Sequence, residues 1–274
     1  MGKVVCEKLF RDYAESNIKN IELSQADYSG FDYKAAKKYA DEYGVRLWSM
    51  HLPFAPFDEI NIASPNRALR ENAYRLFTEL IGRGAEIGID KFIVHPSGEP
   101  IDGSEREEQK KYSKESLSRL ADFAAQYNAV ICVEDLPRTC LANTAAELSE
   151  LIAEDDRLAV CFDTNHLLTE KPEDAIRSIG SRIVTLHVSD YDFVNERHWL
   201  PGEGQINWQN LTAALRDVGY RGVWMYEIGF ECPKTILRDR DLNCEDFRRN
   251  AEEVLSGKKP TVFSAPKPGL GFWE

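Results

Sequence analysis

The chain has 274 residues, enough for one large core and close to the roughly 250 of a barrel of eight β/α units. Apolar residues make up 43% and charged residues 29%, an ordinary globular profile, and no apolar run approaches the ~20 residues of a bilayer span. The net charge of −12 argues against nucleic acid as a partner, because polyanions are gripped by basic faces.

Along the chain, Val5, Leu9 and Tyr13 recur every four residues and predict a helix over residues 4–16. Apolar runs follow at Ile21–Leu23, Leu47–Met50, Phe92–Val94, Val130–Val133, Leu158–Phe162, Ile183–Val188 and Val223–Tyr226. Several lack polar alternation, as expected of parallel strands buried on both faces. Helical faces separate them: Leu69, Ala73, Leu76, Phe77 and Leu80; then Leu117, Leu120, Ala121 and Ala124; then Leu211, Ala214, Leu215 and Val218. Asn207 is placed to cap the last of these helices ahead of Trp208, and Gly219 to end it.

Sustained strand–helix alternation predicts an α/β fold, a (β/α)8 TIM barrel whose first strand is incomplete or missing. A doubly wound sheet is the alternative, but no G-x-G-x-x-G follows the early strands. Residues 1–257 are expected to form the barrel domain. Residues 258–274, rich in Pro and Gly, are expected to form an extended tail whose Phe272 and Trp273 dock on the barrel or on a neighbouring subunit. The six cysteines include no C-x-x-C pair, and residues 1–20 hold no signal-peptide segment. Reduced thiols and a cytoplasmic location are the expectation.

The chemistry lies at the strand ends. Six consecutive runs lead into His51, His95, Glu134, Asp163, His187 and Glu227. In a parallel barrel these ends converge on one mouth, where active sites lie. Carboxylates and imidazoles gathered in an apolar-walled pocket repel one another unless a cation joins them. Taken singly, each is more often a cap, a solvated carboxylate or a structural imidazole. Taken together they predict a metal site. All five histidines (His51, His95, His166, His187 and His198) fall at or after these strands.

The segments Val-Glu-Asp at Glu134, Phe-Asp-Thr-Asn-His at Asp163, Leu-His-Val-Ser-Asp at His187, Pro-Gly-Glu-Gly-Gln-Ile-Asn-Trp from Pro201 and Gly-Tyr-Arg-Gly-Val-Trp-Met-Tyr-Glu ending at Glu227 carry a resemblance. Over about residues 18–230 the chain resembles the xylose isomerase-like TIM-barrel superfamily, which holds sugar isomerases and epimerases, inosose-processing enzymes, dehydratases and endonuclease IV. The resemblance implies that Glu134, Asp163, His187 and Glu227 bind a divalent metal and that Glu134 and Glu227 also move protons. It implies a substrate contact for His166. His51 and His95 match two further zinc ligands of the repair enzyme, and His166 with His198 matches the rest of its third zinc site. That enzyme has Asp-Arg-His where this chain has Glu196-Arg197-His198.

Three carboxylates and one imidazole suit Mn²⁺ best, with Zn²⁺, Mg²⁺ and Co²⁺ compatible. The expected function is isomerisation or epimerisation of a small sugar, sugar phosphate or inositol-like ketone through a metal-stabilised enediolate, with two glutamates as acid and base. The expected partner is that small molecule, with neither nucleic acid nor membrane; homo-oligomers are compatible. A lyase or dehydratase on a similar keto substrate is the alternative, followed by a multinuclear zinc phosphodiesterase and a non-catalytic sugar binder. Among the remaining residues, Arg197 is a candidate for a phosphate or hydroxyl. Asp190 is a candidate for orienting a ligand, and Trp48, Phe54 and Phe57 for stacking on a sugar. Glu22 ends the first run and is a candidate for the pocket wall. Gly202-Glu203-Gly204 reads as a shaped turn.

Overall fold

A computed structural model of the protein describes residues 5–25 and 27–272. The elements alternate in chain order: α1 (Glu7–Glu15), β1 (Asn20–Ser24), α2 (Tyr33–Tyr43), β2 (Arg46–His51), α3 (Arg67–Glu86), β3 (Lys91–Val94), α4 (Arg106–Ala124) and β4 (Val130–Glu134). The second half holds α5 (Ala145–Ile152), β5 (Ala159–Asp163), α6 (Pro172–Ile179), β6 (Ile183–His187), α7 (Trp208–Asp217), β7 (Ile236–Arg238), α8 (Cys244–Leu255) and β8 (Ser264–Pro266). The sheet order β1-β2-β3-β4-β5-β6 follows the chain, the arrangement of the TIM-barrel α/β class. Among the described residues no strand precedes β1; the helix expected over 4–16 takes that place as α1.

The chain divides into two compact units, residues 1–134 with 139–142 and 147–160, and residues 135–138 with 143–146 and 161–274. In the first, β1 to β4 pair in parallel. Phe92, Ile93, Val94, Ile131, Cys132 and Val133 are fully buried, as strands covered on both faces require. Met50 pairs with Phe92 and His51 with Ile93; Val94 pairs with Val133, so His95 and Glu134 emerge level with one another. Ala73, Phe77 and Leu80 of α3 are buried, as are Leu117, Leu120, Ala121 and Ala124 of α4. Each buried leucine contributes about 1.5–3 kcal/mol. A Cβ at Gly84 would meet Phe92 Cε1 at 2.7 Å, so α3 lies on β3 only because that position has no side chain.

In the second unit, Asn207 caps α7 by accepting from Asn210 N, and Gly219 follows at φ +72. The run Val223–Tyr226 is no strand; one parallel bridge joins Tyr226 to Val188. Its aromatic rings pack elsewhere, Trp224 on Trp208 and Tyr226 on Phe247. The late chain brings an unanticipated pairing, β7 antiparallel to β8. Beyond β8, Arg197 donates to Gly271 O at 2.7 Å and Asn195 Nδ2 to Phe272 O at 2.5 Å. Phe272 is 39% exposed, and Trp273 lies outside the described residues. All six cysteines are free thiols. Among the described residues no helix is long and apolar enough to cross a membrane.

Candidate metal centre

In the first unit three side chains meet at the ends of β2, β3 and β4. Glu134 is fully buried, and its Oε2 lies 3.1 Å from His51 Nε2 and 3.1 Å from His95 Nε2. His51 Nδ1 lies 2.7 Å from Leu52 O. A carbonyl only accepts, so Nδ1 carries a proton, and with that proton alone His51 would turn the Nε2 lone pair toward the carboxylate. That contact is repulsive unless a second proton or a cation lies between the two atoms. An imidazole pinned by its other nitrogen to a backbone carbonyl is the arrangement of metal-ligating histidines. The Phe54 ring stacks on His95 at 4.4 Å, and Phe54 as a residue is 44% exposed. Beside this group Ser49 Oγ donates to Glu22 Oε2 at 2.6 Å.

The second unit carries the other candidates. Asp163 and His187 end β5 and β6, both buried, and Thr164 N donates to His187 O at 3.0 Å, tying the two strand ends together. Asp163 N donates to Asp135 Oδ1 at 2.7 Å, and Asp163 Oδ1 accepts from Asn165 N at 2.6 Å. These bonds fix the carboxylate and leave Oδ2 4.0 Å from His187 Nδ1. Glu227 Oε2 lies 3.5 Å from the same nitrogen. Donors each about 2.1 Å from one ion stand roughly 3.0–3.5 Å apart, so a small inward movement of these three atoms would embrace a divalent cation.

His166 and His198 flank this trio. His166 Nδ1 is held by Asp135 O at 2.8 Å, which aims Nε2 at Asp163 Oδ2, 3.7 Å away, and at Glu196 Oε2, 3.4 Å away. His198 Nδ1 donates to Glu227 O at 3.0 Å. His166, His198 and Glu227 offer ligand atoms within 4.8 Å of one another. Burial works to lower the His198 pKa, but the carboxylates of Glu227, Asp163 and Glu196 outweigh it and raise the value. Burial likewise opposes ionisation of Glu196, yet His166, Arg138 and His198 hold its pKa below the ordinary value. Arg138 Nη1 lies 3.0 Å from Glu196 Oε1.

Other residues singled out in the sequence sit apart from this chemistry. Arg197 has its guanidinium buried against Asp192, 2.9 Å away, and Gly271 O. Asp190 accepts from Gly202 N, Ile206 N and Trp208 Nε1, and so shapes the turn that holds Gly202 at φ +97. Glu203 of that turn is ion-paired with Arg238 at 2.8 Å. Trp48 lies under the cations of Arg46 and Lys91, and Phe57 fills the space beside Gly98. Arg138, Asp135 and Asn165 were not anticipated. Asp135 and Asn165 adjoin Glu134 and His166, which is a signal the sequence did contain.

The sequence profile of the xylose isomerase-like TIM barrel family matches residues 10–244. A D-psicose 3-epimerase from Ruminiclostridium cellulolyticum is 31% identical over 210 residues, 71% of this chain and 67% of that one. A probable endonuclease 4 from Acholeplasma laidlawii is 30% identical over 123 residues, 43% of this chain and 40% of that one. The solved structure of D-psicose 3-epimerase with D-tagatose from Clostridium cellulolyticum H10 superposes with a TM-score of 0.72 at 25% identity, covering 84% of this chain and 81% of that one. With strand order, helical alternation and profile in agreement, the chain belongs to the xylose isomerase-like TIM-barrel family.

Proposed function

We propose that the protein is a divalent-metal-dependent epimerase or isomerase of a small keto-sugar, with Glu134, Asp163, His187 and Glu227 as the metal ligands. The observation that carries this reading is the placement of Asp163 Oδ2 and Glu227 Oε2 at 4.0 and 3.5 Å from His187 Nδ1. Sugar epimerases among the relatives supply the substrate class. An oxygen-rich set suits Mn²⁺ first, then Mg²⁺, Co²⁺ or Zn²⁺. When bound, such an ion supplies Lewis-acid stabilisation of the charge on a deprotonated hydroxy-ketone.

Glu134 and Glu227 are the proton carriers of this scheme. One takes the proton from the carbon beside the carbonyl, and the other returns a proton to the opposite face. A carboxylate beside a dication stays ionised at neutral pH, so each acts through an oxygen turned to the substrate. His166, held by Asp135 O, is oriented to hold a substrate hydroxyl. Phe54 shields His95 from water on one face. The free thiols fit a reducing, cytoplasmic setting. The test is metal content by elemental analysis, together with incubation of ketohexoses with the Mn²⁺-loaded protein in D₂O. Deuterium at the carbon beside the carbonyl, with a new epimer, is the expected result. Turnover without C–H cleavage would refute the scheme.

One observation favours a second reading. His51 and His95 on Glu134, and the His166–His198–Glu227 group, together offer more imidazoles than a single ion needs. A zinc phosphodiesterase like the endonuclease 4 relatives would use them. Two or three zinc ions per chain with hydrolysis of a phosphodiester would establish it. A lyase on the same keto substrates shares the first proton abstraction and is distinguished by loss of a β-substituent from the product.

A further inference from the structure

The loop that presents Glu196 and His198 is built around a buried arginine. Arg197 N donates to Asn165 Oδ1 at 2.9 Å, in the segment that carries Asp163 and His166. The Arg197 guanidinium donates through Nε to Asp192 Oδ2 at 2.9 Å and through Nη2 to Gly271 O at 2.7 Å. Its side chain has no exposed surface. A buried guanidinium is tolerated only where acceptors surround it, and one of these acceptors lies 74 residues further along the chain. Asn195 adds a second link to the same segment through Phe272 O.

The segment reaches that position by a defined path. β8 pairs with β7, and Lys267 N extends the pairing to Thr235 O at 3.0 Å. Thr235 Oγ1 in turn accepts from Trp199 Nε1 at 2.9 Å, one residue beyond His198. A turn with Gly269 at φ +76 then delivers Gly271 and Phe272 to the loop. Residues 195 and 197 therefore join the loop to the tail, and residue 199 joins it to Thr235, the tail's own backbone partner; the three alternate with Glu196 and His198.

We propose that segment 267–272 is part of the active-site assembly, fixing the 195–198 loop through Arg197 and Asn195, so that Arg197 is a positioning residue for substrate binding. The effect on substrate rests on the keto-sugar reading above; the effect on the loop does not. A tail that orders a binding loop acts on substrate affinity more than on proton transfer, because Asp163 and His187 are held by the ends of β5 and β6.

The experiment compares the full chain with one ending at Lys267 and with the Arg197→Lys variant, by amide hydrogen exchange, Mn²⁺ titration and steady-state kinetics on ketohexoses. The shortened chain should lose about 10-fold in protection over residues 192–198, the scale of a lost charge-assisted hydrogen bond, with β5 and β6 unchanged. KM should rise by about 10-fold with little change in kcat, and Mn²⁺ affinity should hold within about two-fold. Arg197→Lys keeps the charge but not the two-pronged link, so it should match the truncation. If the shortened chain does not fold, Arg197→Lys alone decides, with the loss of protection confined to the same residues. Unchanged protection at 192–198, or a loss spread evenly over β1 to β6, would overturn the proposal. If the full chain converts no ketose, the function reading fails while the exchange data still decide this one.

Discussion

His51 Nε2 and Glu134 Oε2 stand 3.1 Å apart, with both side chains closed off from solvent. The contact can be read as a shared metal site or as a carboxylate steadied by an imidazole, and the two readings separate on substitution. If Glu134, Asp163, His187 and Glu227 form the primary site, the His51→Ala/His95→Ala double variant retains one divalent ion per chain. Elemental analysis after dialysis measures this directly, and complete loss of metal would assign the histidines to the primary site.

Glu134→Gln and Glu227→Gln keep the shape of each side chain and remove the carboxylate proposed as the base. Activity should fall by at least ~10² in each, the lower end of general-base contributions. Deuterium uptake from D₂O into the substrate should slow in parallel. A variant that retains full exchange would not be missing a proton carrier.

Asp190 organises the Gly202–Gly204 turn by accepting three hydrogen bonds from residues 202–208 while fully buried. Asp190→Ala leaves those donors without their acceptor, at about 1–3 kcal/mol each before relaxation. A loss of at least ~3 kcal/mol in chemical denaturation is expected. Burial raises the Asp190 pKa against the pull of these donors, so the Asn variant, which can still accept through its carbonyl, should lose less.

Asp155 is brought from 3.8 down to about 2, first by its side-chain hydrogen bonds from Arg157. A depressed carboxylate stabilises the fold fully above its unfolded pKa, and this contribution fades as pH falls from about 4 towards 2. Because Arg157 is 48% exposed, screening reduces the effect to about 1 kcal/mol. Asp155→Asn should therefore destabilise at pH 7 and make little difference near pH 2, as measured by urea unfolding at both values.

The strand ends were legible because parallel strands buried on both faces read as unbroken apolar runs, so that Glu134 and Asp163 stand out where the run stops. His51 and His95 announced themselves in the same way. Val223–Tyr226 shows how this signal misleads, since Trp224 and Tyr226 supply apolar bulk to ring packing and pair with a neighbour only at one bridge. Arg138 beside Glu196, and Gly271 beside Arg197, could not be read from the sequence. Their meaning depends on partners 58 and 74 positions away, and no local periodicity encodes such a contact.

That solitary bridge sets how firmly Glu227 is held. Glu227 is tethered by Val188 N donating to Met225 O at 2.8 Å and by its own N donating to Val188 O at 3.2 Å. Asp163 and His187 are the last residues of five-residue strands. Of these three, Glu227 therefore hangs on the shortest hinge, with about a third of its side chain open to solvent. In the proposed metal site it would be the ligand with the least backbone pairing behind it, and so the first expected to release an ion.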